Sequence, residues 1–180
     1  KYSTTVIGVL HPLIGPRQTT LWTSLGTVGY WQGCTHQCKI GEMKVLFICK
    51  GNVGRSQIAE ALFKRKFGDQ HEVFSAGIKL SGPEQPIREL LPLTKEVIDV
   101  MNEEVIDVSL SVRNQLTEKM VEKADKIIAL IEDEEILPEY LSVSPKLIRW
   151  NVLDPKGKDL LFTRQVKDEI KNRIEFLKLN

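Results

Sequence analysis

Residues 45–63 read VLFICKGNVGRSQIAEALF, and this stretch decides the fold. KVLFIC (44–49) is a continuous apolar run that ends at Cys49, the pattern of a strand buried on both faces of a parallel sheet. Beyond the loop, Ile58, Ala59, Leu62, Phe63 and Phe67 recur at helical spacing until Gly68 stops the helix. Strand, short Gly/Asn-bearing loop and helix follow one another without a gap. Such a loop aims several unpaired backbone N–H groups and the positive end of the helix dipole at one point, which suits an anion of phosphate size.

The same alternation continues outward. EVFSAG (72–77), DKIIALI (125–131) and KLIRW (146–150) read as further strands. PIRELLPLTKEVIDVMNEE reads as helix broken at Pro92, and QLTEKMVEKA as helix with Thr117 at its N-cap. EDEEILPEYL reads as a short acidic helix whose first residues, 132–135, favour the helix N-terminus. A final helix carries Phe162, Val166, Ile170, Ile174 and Leu177 on one face. The fold class predicted is α/β, a four-stranded parallel sheet with helices on both faces and a phosphate-binding loop after the first strand. Ligands in such folds bind beyond the carboxyl ends of the strands, where CKGNVGRS and the late loop NVLDPKGKD both fall.

Within the loop each residue type has a task. Gly51 and Gly54 are expected to enter positive φ, with Asn52 the next most tolerant residue. Arg55 supplies a permanently charged planar fork that grips two oxygens of a tetrahedral oxyanion. A thiol beside an arginine and a helix N-terminus is expected to act as a thiolate, which makes Cys49 a nucleophile, with Ser56 hydrogen-bonded to it. A lone cysteine closing an apolar strand is ordinarily inert, and it is the company of Gly51, Asn52, Gly54, Arg55 and Ser56 that changes the reading. This is no nucleotide-binding Walker loop, because Cys49 and Arg55 stand where that motif has its first Gly and its Lys. The substrate-binding set is therefore Lys50, Gly51, Asn52, Val53, Gly54 and Ser56. Asp154, before Pro155, is the candidate general acid and then base, with Asp159 the fallback. A non-catalytic receptor for phosphorylated ligands is the competing reading; the presence of both Cys49 and Asp154 favours turnover.

Residues 43–180 resemble the low-molecular-weight protein tyrosine phosphatases and the thioredoxin-linked arsenate reductases that share their fold. The resemblance rests on Cys-x5-Arg-Ser at 49–56, QIAEALF, the SAG at Ser75–Gly77, LTEKMVEKADKIIAL and the late Asp154-Pro155. It implies phosphomonoester hydrolysis through a phosphocysteine on Cys49, with Arg55 clamping the phosphoryl group, Asp154 as acid and base, and no cofactor or metal. Several departures bear on the subfamily. Gly54 stands where many members have a second cysteine, and no cysteine follows Cys49, which weighs against a self-contained arsenate reductase and leaves one that uses an external thiol. Gln57 after Arg-Ser leans towards the reductases. Val53 differs from the Thr of related arginine phosphatases, and DPKGKD lacks the tyrosines of many aryl pockets.

Composition bounds the rest. The 180 residues carry 25 basic and 24 acidic side chains, so a partner held by bulk charge, nucleic acid or an anionic membrane, is not expected. The expected partner is a phosphorylated protein or small phosphomonoester, and the expected compartment the cytoplasm. Residues 1–42 hold only Lys1, Arg17, Lys39 and Glu42 as charges and show no sustained period; they are read as an N-terminal extension of uncertain order, with Met43 a candidate natural start. Cys34, His36 and Cys38 lie at a spacing unlike the usual zinc patterns, and His11 is isolated. Trp22, Tyr30 and Trp31 are candidate anchors of the extension, and His71 reads as a surface residue at a strand edge.

Overall fold

A computed structural model describes residues 41–179. The expectations for His11, Trp22, Tyr30, Trp31, Cys34, His36 and Cys38 lie outside these residues. The elements are β1 (Lys44–Cys49), α1 (Arg55–Phe67), β2 (Glu72–Gly77), α2 (Lys95–Glu103), α3 (Glu118–Lys123), β3 (Lys126–Ile131), α4 (Glu139–Ser142), β4 (Leu147–Asn151) and α5 (Leu160–Glu175). The four strands form one parallel sheet in the order β2-β1-β3-β4. This is the α/β architecture expected from the strand–helix alternation.

Side-chain alternation along β1 and β3 sorts the core into two layers. Val45, Phe47, Ile128 and Leu130 face α1, α2 and α5, where they meet Ile58, Phe63, Val100, Met101 and Ile170. Leu46, Ile48, Ile127, Ala129 and Ile131 face the opposite side, against Leu116, Val121 and Leu141. All of β1 from Val45 to Ile48 is fully buried, which is why its sequence is apolar without interruption. Each fully buried side chain of this size contributes about 1.5–3 kcal/mol of transfer free energy. Because β2 and β3 lie on opposite sides of β1, the chain leaves β1 in one direction and later returns in the other. That reversal opens a crevice at the carboxyl ends of β1 and β3.

Some local expectations are corrected. The stretch 86–104 is not one broken helix: a 3-10 turn occupies Ile87–Leu90, Leu91-Pro92 is a cis peptide, and regular helix begins only at Lys95. Of EDEEILPEYL only the last three residues are helical, in a helix Glu139–Ser142, since Pro138 fits the start of a helix and not its interior. Residues 132–135 are therefore loop, at the carboxyl edge of β3. His71 is not a plain surface residue. It accepts a hydrogen bond at Nδ1 from the Met43 N–H at 3.1 Å, and its ring lies 5.6 Å from that of Phe67. Thr117 caps α3 as expected, accepting from the Met120 N–H.

One charge cluster ties three helices together. Glu104, just beyond α2, accepts hydrogen bonds from Lys167 and Lys171 of α5 and from Arg65 of α1 at 2.7–3.0 Å. Those bonds, Lys167 and Lys171 foremost, hold its carboxyl at about 2 against a usual value of 4.5. Because the folded value is depressed, the stabilisation is complete above pH 4.5 and is lost as pH falls towards 2. Glu104→Gln is expected to cost about 2 kcal/mol at neutral pH, and the gap between wild type and variant in urea midpoint should close on acidification through that window.

The residue after Glu104 carries a conformational cost. Val105 sits at φ 58°, 93% exposed, at the left-handed position of a helix C-terminal motif. The Ile106 N–H bonds the Met101 carbonyl and the Val105 N–H the Asn102 carbonyl. A β-branched residue is poorly suited to this conformation and buries nothing here. Val105→Gly is predicted to raise stability by about 0.5–1 kcal/mol in the same denaturation assay, and an unchanged or lower midpoint would contradict this reading.

Candidate active site

The loop 49–55 wraps the carboxyl end of β1 and runs directly into α1. Its one left-handed residue is Asn52, at φ 51°. Gly51 and Gly54, expected there, do not adopt positive φ; Gly54 sits at −120°. Asn52 is fully buried, and its side-chain amide uses its whole hydrogen-bonding capacity. Nδ2 donates to Ser56 Oγ at 2.8 Å and to Ser75 Oγ at 2.9 Å. Oδ1 accepts from the Asn114 N–H at 2.7 Å and from Gln57 Nε2 at 3.3 Å. Two donors and two lone pairs are all matched, so the strained turn is fixed from four sides.

That turn sets the surroundings of the thiol. Cys49 is 3% exposed, and its Sγ accepts from the Asn52 N–H at 3.2 Å. Ser56 Oγ lies 3.0 Å from the same sulfur. Ser56 Oγ also accepts from Asn52 Nδ2, which leaves its own hydrogen free to donate to Cys49. With the hydroxyl as donor, two hydrogen bonds would converge on Sγ.

Arg55, the first residue of α1, is 2% exposed and reaches across to β4. Nη1 donates to the Val152 carbonyl at 2.9 Å, while Nη2 lies 3.1 Å from Asp154 Oδ2 and 3.7 Å from Glu135 Oε1. Asp154 is fixed by its neighbours: Oδ1 accepts from the Lys156 N–H at 3.1 Å, and its own N–H donates to Glu132 Oε1 at 3.0 Å. A cleft of about 300 Å³ opens over these groups. It is lined by Cys49, Lys50, Gly51, Val53, Gly54, Arg55 and Asp154 of the expected set, with Leu80, Leu93, Val97 and Pro155 as an apolar wall and, among the described residues, no aromatic side chain.

Cys49, Asn52, Arg55 and Ser56, from one loop and the start of α1, therefore meet Asp154 from the loop after β4. Asp159 does not join them. Its Oδ1 accepts from the Phe162 N–H at 2.8 Å, so it is the N-cap of α5. Four other residues hold the site in contacts that the sequence did not announce. Gln57 bonds the loop, and Asn114 comes from a segment 62 residues away. Glu132 and Glu135 turn the supposed acidic helix into partners of Asp154 and Arg55. Among the described residues, no group of three or more His, Cys, Asp or Glu side chains is placed to hold a metal, and no helix is long and apolar enough to cross a membrane.

A parallel α/β sheet whose first turn presents a cysteine and an arginine to one cleft defines a class, and comparison supplies the family. Residues 44–179 match the profile of the low molecular weight phosphotyrosine protein phosphatases, and the chain belongs to that family. It is 33% identical over 134 residues to arsenate reductase 2 of Staphylococcus epidermidis, covering 74% of this chain and 95% of that protein. Among solved structures it is similar to the low molecular weight protein tyrosine phosphatase of T. tengcongensis, at TM-score 0.60 and 27% identity over 74% of this chain and 96% of that one. An arsenate reductase in its phosphate-binding state aligns at TM-score 0.59 and 28% identity, over 74% and 94% of the two chains.

The close approach of β2 to the loop gives a test of this geometry. A Cβ on Gly77 would lie 2.9 Å from both the Asn52 nitrogen and the Gly51 carbonyl carbon, and 2.7 Å from Leu80. Backbone cannot yield as a flexible side chain does. Gly77→Ala is expected to weaken orthovanadate binding at least tenfold, measured by calorimetry on protein shown by circular dichroism to be folded.

Proposed function

We propose that this protein hydrolyses phosphate monoesters through a phosphocysteine on Cys49, with residues 43–180 as the catalytic unit. The observation that carries the reading is the convergence of Cys49, the Arg55 guanidinium and the Asp154 carboxylate on one cleft. The loop N–H groups and Arg55 would bind the phosphoryl oxygens, Arg55 by a bidentate contact that strengthens as charge spreads in the transition state. The Cys49 thiolate attacks phosphorus opposite the ester oxygen, the P–O bond breaks, and Asp154 as carboxylic acid protonates the leaving oxygen. Asp154, now a carboxylate, takes a proton from water, which displaces the thiolate and releases phosphate.

The ion pair between Arg55 and Asp154 fits this sequence. A dianionic phosphate would compete for Nη2, and by taking it would free the Asp154 carboxyl to turn to the leaving group. Binding and arming of the acid are thereby linked. Lys50, Gly51, Val53 and Gly54 would form the walls of the phosphate site, with Asn52 and Ser56 holding its shape.

A second reading, arsenate reduction, is favoured by the names of the curated relatives at 32–33% identity. Cys49 would bond arsenic with loss of water, and an external thiol would then attack Sγ, releasing arsenite and leaving a mixed disulfide for a second thiol to reduce. Against a self-contained version stands the absence of any cysteine after Cys49.

The deciding assay is release of nitrophenolate from p-nitrophenyl phosphate between pH 5 and 8 without metal. Wild type is expected to turn over and to be inhibited by vanadate; Cys49→Ser should be inactive, and Asp154→Asn slower by about a hundredfold or more in kcat. If wild type is inert, while arsenate plus a low-molecular-weight thiol consumes reductant through Cys49, the reductase reading replaces this one.

A further inference from the structure

Three lysines edge the cleft: Lys50, Lys79 and Lys156. All are exposed, and none has an ion-pair partner among the described residues. Elsewhere on the domain lysines are commonly neutralised, as Lys64 by Glu60, Lys66 by Glu175, Lys95 by Asp99 and Lys171 by Glu104. Among the described residues, the cleft lining holds these three cations and Arg55 against Asp154 and Glu96; Glu135 and Glu132, just behind, are taken up by Arg55 and the Asp154 backbone, and no carboxylate pairs with the three lysines. Like charges left unpaired around one concave site raise its potential towards anions.

Their placement is directional. The Lys79 N–H donates to the Lys50 carbonyl at 2.9 Å, so these two residues are neighbours on the β2 side of Cys49. Lys156 follows β4, on the other side in the strand order β2-β1-β3-β4. A chain crossing the cleft would thus meet a cation on each flank. Between the flanks, Leu80, Leu93, Val97 and Pro155 offer apolar surface to the body of the phosphorylated side chain.

We infer that the substrate is a phosphorylated segment of an acidic polypeptide, with carboxylates on both sides of the phosphorylated residue, read by Lys50 and Lys79 on one flank and Lys156 on the other. The inference rests on the phosphatase reading. A single cation on one side would serve a small phosphomonoester as well; cations on both flanks favour an extended chain. Exposed pairs of this kind act chiefly on encounter and specificity, and salt screens them.

The test compares kcat/KM for phosphotyrosyl peptides of equal length whose flanking residues are glutamate, glutamine or lysine, at low and high salt. The acidic peptide is expected to exceed the neutral one by about 5- to 30-fold at low salt, with the ratio shrinking to within about threefold at high salt. Lys79→Glu with Lys156→Glu should reverse the order, so that the lysine-flanked peptide becomes the better substrate. Equal kcat/KM for the three peptides, together with turnover of p-nitrophenyl phosphate, overturns this inference and leaves the phosphatase reading standing. If neither p-nitrophenyl phosphate nor any peptide is hydrolysed, the phosphatase reading itself fails. If the peptides are equivalent but phosphatidylserine vesicles bind the protein and Lys79→Glu with Lys156→Glu releases it, the lysines face a membrane and the inference is wrong.

Discussion

The left-handed turn at Asn52 is the constraint on which the site depends. A side chain in that conformation costs of order 1–3 kcal/mol and persists only where its surroundings enforce it. Here the enforcement comes from α1 through Ser56 and Gln57, from β2 through Ser75, and from the segment before α3 through Asn114. The turn directs the Asn52 N–H at the cysteine sulfur, and the side chain of the same residue donates to Ser56 Oγ, which lies 3.0 Å from that sulfur. One residue thus joins the conformation of the loop to the hydrogen bonding of the thiol. These partners come from α1, from β2 and from the segment that runs beside β2, so that side of the sheet has to be in place before the turn is fixed.

Electrostatics at the cleft follow from burial. Arg55 has almost no contact with solvent, and a guanidinium there needs partners. The Val152 carbonyl, Asp154 and Glu135 supply them, and Glu132 in turn holds the backbone of Asp154. Within this acidic run Glu135 faces a buried cation and Glu132 the loop after β4, and neither caps a helix. This gives a physical reason why the apparently generic run EDEE belongs to the account of the site.

Much of the fold was legible because its strands are buried on both faces and its helices are amphipathic. KVLFIC and EVFSAG coincide with β1 and β2 residue for residue, and the helix stop at Gly68 is a glycine at φ 56°. Cys49, Arg55 and Asp154 stood out as candidates because their spacing and residue types carry chemistry, and the structure brings them to one cleft. What was not legible lies in contacts across sequence distance. Nothing local to Asn114 or Gln57 marks them as partners of Asn52, and nothing in EDEEILPEYL says that only its last residues are helical except Pro138. Asp154 and Asp159 look alike in one loop; the apolar LLF after Asp159 is the local mark of an N-cap, and the cap geometry separates the two. The expectation of positive φ at Gly51 and Gly54 failed because the side-chain network places Asn52 in that conformation instead.

The claim that Cys49 is a nucleophile held ready by its loop is tested most directly by rapid-quench mass spectrometry. The protein is mixed with excess p-nitrophenyl phosphate, stopped in acid within the first turnovers, and digested. The account predicts a phosphoryl adduct on the peptide containing Cys49, formed no more slowly than phosphate appears and absent in Cys49→Ser. Phosphate release without any adduct, or an adduct on another residue that forms as fast as turnover, would contradict it.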